Sequence, residues 1–211
     1  MVLPRVRFGR YALYPFALLG TWAHETGHGL AAILVGGKFK SLELYSNLGG
    51  VAYSTGTANR KTAFVAAGGL LGPAIVGAIV ILFSAREELA PWVVLAIAIC
   101  VAFTTVRWVR NRFGFAAMIA ISVGLVGSTI YAPANVNIFL GQLIGIQFSV
   151  ACWNTLDYMF TKHFYNNGRL TNSDTQDISE SIGFPYWFWA SLISLTSAGL
   201  LGLSFYIAWL N

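Results

Sequence analysis

Residues 11–34 read YALYPFALLGTWAHETGHGLAAIL, an apolar run interrupted once by a compact polar cluster. As a helix it would be about 36 Å long at about 1.5 Å per residue, more than a bilayer's hydrocarbon core requires. Arg5, Arg7 and Arg10 precede it, and Thr21-Trp22-Ala23 resembles a small-residue cleavage site, which together make the pattern of a secretory leader. The apolar character resumes through Leu30 to Val35, so the stretch reads as one uncleaved span carrying His24-Glu25-Thr26-Gly27-His28 inside it.

Outward from this span, five more apolar runs follow at Thr62–Phe83, Ala90–Val106, Phe115–Tyr131, Val136–Phe160 and Tyr186–Leu210. Only 10% of the 211 residues are charged and 56% are apolar, with a mean hydropathy of +0.65. Soluble domains carry about 25% charge, so this chain lacks the polar surface that water would demand. The expected fold is all-α: one polytopic membrane bundle of about six transmembrane helices over residues 1–211. Trp92, Trp108, Trp187, Trp189, Trp209, Tyr131 and Tyr186 fall near span ends, where amphipathic rings favour the headgroup layer.

The net charge of +5 fits a loop bias rather than a nucleic-acid footprint, because the basic residues sit in short clusters flanking apolar runs. Lys38, Lys40, Arg60, Lys61, Arg107, Arg110, Arg112, Lys162 and Arg169 share one side of a six-span arrangement, and that side is expected to be cytoplasmic. Cys100 and Cys152 both lie within apolar segments and form neither a disulfide framework nor a cysteine zinc site.

Two loops are long. In 35–61, the alternation of Phe39 to Tyr45, the turn residues Asn47-Leu48-Gly49-Gly50 and the run Val51 to Thr55 predict a short β-hairpin at the membrane surface; an irregular polar loop fits the composition equally. In 161–185, Ser173 with Gln176 three residues later predicts the start of a surface helix that Gly183 and Pro185 stop.

The chemistry lies in His24, Glu25 and His28. Histidines four residues apart lie about 40° apart on one helix face and can share a metal, while a Glu after the first can act as general base to a water. This is the HExxH arrangement, whose metal is normally zinc. An ionisable side chain inside a bilayer costs on the order of 2 kcal/mol or more, and a bound dication offsets that cost.

A catalytic zinc needs a third protein ligand. Of the remaining acidic residues, only Asp157 falls within an expected span. The same burial argument makes it the first candidate. Asp174 is the rival: an Asp in a helix's first turn ordinarily serves the helix dipole, but the loop could fold it back over the metal. His163 lies in the loop and reads as an interfacial residue.

At these residues the chain resembles the site-2 proteases, intramembrane zinc metallopeptidases, and especially their small bacterial-type branch. The resemblance is carried by His24-Glu25-Thr26-Gly27-His28-Gly29-Leu30-Ala31-Ala32 with Gly36-Gly37, by Gly68-Gly69-Leu70-Leu71-Gly72-Pro73, by Leu156-Asp157 and by the Ser173-Asp174 pair. It departs from the family at Tyr158, where a glycine is expected, and after Asn154, where a proline is missing. The resemblance implies zinc held by His24, His28 and Asp157, with Glu25 activating a water. It also implies a hairpin loop that guides an extended substrate strand, and a bacterial-type inner (plasma) membrane location.

The expected function is cleavage of peptide bonds in or near transmembrane segments, with a membrane-protein helix as substrate and no nucleic-acid partner. A second reading, from another class, is a non-proteolytic accessory subunit of a larger membrane complex, suited by the degraded Asp157 motif. A third, a metal or proton transporter, would need polar residues in line across several spans, and spans three and four offer only Thr104, Thr105, Ser122, Ser128 and Thr129.

Overall fold

A computed structural model of the chain describes residues 7–57, 60–166 and 169–210. Its helices are α1 (Arg7–Leu34), α2 (Arg60–Ser84), α3 (Ala90–Trp108), α4 (Arg112–Tyr131), α5 (Ala134–Ser149), the single turn α6 (Leu156–Met159), α7 (Asp174–Ile182) and α8 (Tyr186–Phe205). Two antiparallel hairpins interrupt them: β1 (Lys38–Leu44) with β2 (Gly50–Thr55), and β3 (His163–Asn166) with β4 (Arg169–Asn172). The fold is a helical membrane bundle, and the chain is an integral membrane protein. Among the described residues, α2, α3, α4 and the run Tyr186–Leu210 are each long and apolar enough to cross a membrane.

Two of the six expected spans differ from a plain apolar helix. The polar cluster of α1 keeps that helix outside the strongly apolar set, although it packs along α2. The expected span Val136–Phe160 is not one straight helix. α5 ends at Ser149, and after a bend of 43° the chain continues through a 3-10 turn at Ala151–Thr155 into α6. Side chains hold this bent segment in place: the Trp153 indole donates to the Ser194 carbonyl of α8 at 3.3 Å, and Met159 is fully buried.

The α1–α2 contact is close because glycines face each other. A Cβ on Gly27 would strike the Gly68 carbonyl, and one on Gly68 would strike the Ala31 side chain, so these positions admit no larger residue without separating the helices. Two apolar cores flank this seam. One joins α1, β1, α3, α4 and α5 around Leu18, Leu42, Val101, Met118 and Phe148. The other joins α2, α6, α7 and α8 around Leu70, Met159, Ile178 and Ile193.

The first hairpin forms as the alternation predicts, with Leu48 in the turn at φ 66°. It lies on α1, tied by the Tyr14 hydroxyl to the Ser46 carbonyl at 2.8 Å and by Thr21 Oγ1 to the Leu48 carbonyl at 2.9 Å. Its other side is clamped by Asn111, which accepts from the Leu44 N–H at 3.1 Å and donates to the Leu44 carbonyl at 2.6 Å. Leu44 is fully buried, so Asn111→Ala strands both groups, at an expected cost of about 1–3 kcal/mol. A clearly lowered melting temperature in detergent is the expected result; an unchanged one would mean that the clamp is idle.

The second hairpin, β3–β4, is absent from the sequence expectation, which saw only a loop before the helix. α7 itself starts where expected: Ser173 Oγ accepts from the Gln176 N–H at 3.2 Å. The capping box is half built, because the Gln176 side chain turns instead to Glu180 at 2.8 Å. Gly183, at φ 89°, ends the helix. α7 does not lie free on the surface; Thr175 and Ile178 are buried against the second core.

Candidate metal centre

His24 and His28 project from one face of α1 toward α2. There each ring is fixed through its Nδ1, His24 by the Gly69 carbonyl at 2.8 Å and His28 by the Val65 carbonyl at 2.9 Å. A carbonyl can only accept, so each Nδ1 carries the proton. In a neutral ring the Nε2 then keeps its lone pair, which is the metal-binding form. The two Nε2 atoms face each other at 3.1 Å.

The third group in this space is Asp174, the first residue of α7. Its Oδ2 lies 3.6 Å from His24 Nε2 and 3.4 Å from His28 Nε2. It is a buried oxygen with no hydrogen-bond partner. A charge-assisted hydrogen bond would be about 2.7–2.9 Å long, so these separations are too wide for one. They match the edges of a tetrahedron: ligand bonds of about 2.0–2.2 Å place neighbouring donor atoms about 3.3–3.6 Å apart. Among the described residues, His24, His28 and Asp174 are the one group of such side chains that can hold a metal ion together. Two imidazoles and a carboxylate, an orphaned buried oxygen and two inward-facing lone pairs all fit zinc.

Asp174 is held in place at the start of α7 by backbone and side-chain bonds. Its backbone N–H donates to the Tyr158 hydroxyl at 3.0 Å. Two further bonds pin the preceding residue, from the Ser173 N–H to the Lys162 carbonyl at 2.9 Å and from Ser173 Oγ to the Thr161 carbonyl at 2.6 Å. The tyrosine that departs from the family pattern thus helps to anchor the start of α7.

Asp157, the first-choice third ligand of the sequence reading, does not meet the histidines. It is exposed, in the first turn of the four-residue α6. The bend after Ser149 redirects the chain before Asp157 is reached, and the β3–β4 hairpin then returns it so that Asp174 arrives at the α1–α2 seam. Asp157 lies exposed in the first turn of α6, whereas Asp174 faces the histidines. The signal for Asp174 in the sequence is the Ser173-Asp174 pair. His163 is exposed and bonded to Asn172 at 2.9 Å, away from the cluster.

Glu25 is buried, with 8% of its surface exposed. The hairpin covers it. A Cβ on Gly50, at the start of β2, would come within 2.6 Å of Glu25 Cγ and 3.0 Å of its Oε1. The carboxylate therefore lies against the backbone of β2. The outer side of β1 is occupied at Leu42 by the strand-like segment at Val109, whereas β2 pairs only with β1 among the described residues.

Neither the curated proteins nor the solved structures contain a significant match to this chain. The family model described as Peptidase M50B-like matches residues 1–204, a span that includes both histidines, Glu25, the glycine-proline segment of α2 and Asp174. With a match over nearly its whole length, the chain belongs to the M50B-like peptidases, the site-2 protease family.

Proposed function

We propose that this protein is an intramembrane zinc metalloprotease in which His24, His28 and Asp174 hold the metal and Glu25 is the general base. The observation that carries this reading is the convergence of three ligand atoms, one of them a buried carboxylate oxygen without a hydrogen-bond partner, at tetrahedral spacing beside a buried glutamate. When bound, zinc supplies Lewis-acid polarisation of a carbonyl and acidification of a water.

The chain's own residues do the remainder. The Glu25 carboxylate takes the proton of the attacking water and returns it to the leaving amine nitrogen. Gly69 and Val65 keep the protons of both imidazoles on Nδ1, so that both Nε2 atoms stay ligands. The free side of β2 offers backbone groups to an extended substrate strand, the usual means by which a sheet edge captures a peptide. A membrane-protein segment that has locally unwound suits this edge.

The accessory-subunit reading drew on the degraded motif around Asp157. That degradation has no bearing on a site completed by Asp174, which favours the proteolytic reading. The test is zinc content of the detergent-purified protein with His24→Ala, Asp157→Ala and Asp174→Ala. About one zinc per chain is expected in the wild type and in Asp157→Ala, with loss in the other two. Zinc retained in Asp174→Ala but lost in Asp157→Ala would overturn the ligand set.

A further inference from the structure

We infer that Pro73 is a positioning residue for the metal site, acting through the Gly69 carbonyl on His24. This rests on the reading of His24 as a metal ligand. In an α-helix the carbonyl of residue 69 is normally occupied by the N–H of residue 73. Residue 73 of α2 is a proline, well inside the helix, and proline has no N–H; its ring also crowds the carbonyl four residues back. The Gly69 carbonyl is therefore released from the helix ladder. It is the atom that the His24 ring meets through Nδ1, at 2.8 Å.

Several features point the same way. Gly69 bears no side chain to block the approach, and a Cβ there would strike the His28 ring. Pro73 is buried in the bundle, so its ring is not explained as a helix end or a surface turn. Proline in a helix interior is costly, and its presence beside this carbonyl is accounted for by the bond it frees. His28 provides an internal comparison. Its acceptor is the Val65 carbonyl, whose ladder donor, the Gly69 N–H, is intact. One histidine is thus oriented through a carbonyl that proline has released, and the other through a carbonyl shared with the helix.

The test is Pro73→Ala, which restores an N–H to compete for the Gly69 carbonyl. Three properties are read on the full chain in detergent: zinc affinity by chelator competition, the melting temperature without metal, and the imidazole 15N signals of selectively labelled histidine. Zinc affinity is expected to fall about 10- to 100-fold, the range for losing a partner that orients a metal-bound histidine. The metal-free melting temperature should not fall, because alanine suits a helix interior better than proline. The His24 signal should lose its fixed Nδ1–H form while that of His28 stays. Pro133→Ala, at the N-cap of α5, should leave zinc affinity and both signals unchanged.

Wild-type zinc affinity and an unmoved His24 signal in Pro73→Ala would overturn the proposal. So would a lowered melting temperature with both histidine signals shifted, since that is the mark of a merely structural proline. If the wild type binds no zinc while the His24 signal alone responds to Pro73→Ala, the metal reading fails and the link from Pro73 to His24 stands.

Discussion

Glu25→Gln is expected to abolish cleavage of a membrane-inserted peptide while leaving about one zinc per chain in place. The carboxylate is buried under the β2 backbone, but it is not one of the three converging ligand atoms. The amide is nearly isosteric and can still fill the space under Gly50, so packing survives. What it cannot do is accept the proton of a water. Loss of a general base ordinarily costs about 10²–10⁴-fold in rate, and the zinc content should not follow. Cleavage at the wild-type rate would remove Glu25 from the chemistry. Loss of zinc together with activity would make it a ligand instead and would overturn the three-residue set.

The second large effect is expected from Gly69→Ala. The added Cβ would lie within overlap distance of the His28 Cε1 and Nε2 atoms. A ring oriented by a single Nδ1 bond to Val65 has one way to yield, which is to swing its Nε2 out of the cluster. The metal then keeps only His24 and Asp174, so zinc affinity should fall on the order of 10²-fold or more, beyond the usual loss from disturbing a ligand's supporting partner. Gly72→Ala is the matched control. On the next turn of the same helix its Cβ would find nothing nearer than Gly27 Cα at 3.9 Å, and zinc binding should persist. Equal loss in both variants would mean that helix packing, rather than the His28 ring, governs the site.

These expectations bear on the alternatives to proteolysis. An accessory subunit that keeps the cluster as a structural plug would lose stability in the His24, His28 and Asp174 variants without any measurable cleavage to lose. A protease would lose cleavage in Glu25→Gln with its stability and metal intact. The two readings therefore separate on one variant measured in two ways.

Much of this protein is legible in its residues because the membrane imposes long-range order on a short-range code. An apolar run must satisfy its own backbone as a helix, so the extents of α2, α3, α4 and α8 follow from composition. HExxH needs only helical geometry to bring His24 and His28 to one face, and the hairpin at 38–55 needs only alternation and a turn. Ser173 caps α7 because an N-cap is a local bond.

What composition could not convey is where the chain turns back. Hydropathy continues across Ser149 without a break, but the helix does not, since the bend is fixed by partners such as Ser194 that are distant in sequence. That bend, followed by a hairpin built on tertiary support, exposes Asp157 and delivers Asp174 to the histidines. The histidine pair was thus brought together by one helical turn. The third member of the cluster, the pinning of both rings by α2 and the cover over Glu25 were decided by tertiary structure. Each joins groups separated by dozens of residues, and nothing in local sequence encodes which of two acids will make that journey.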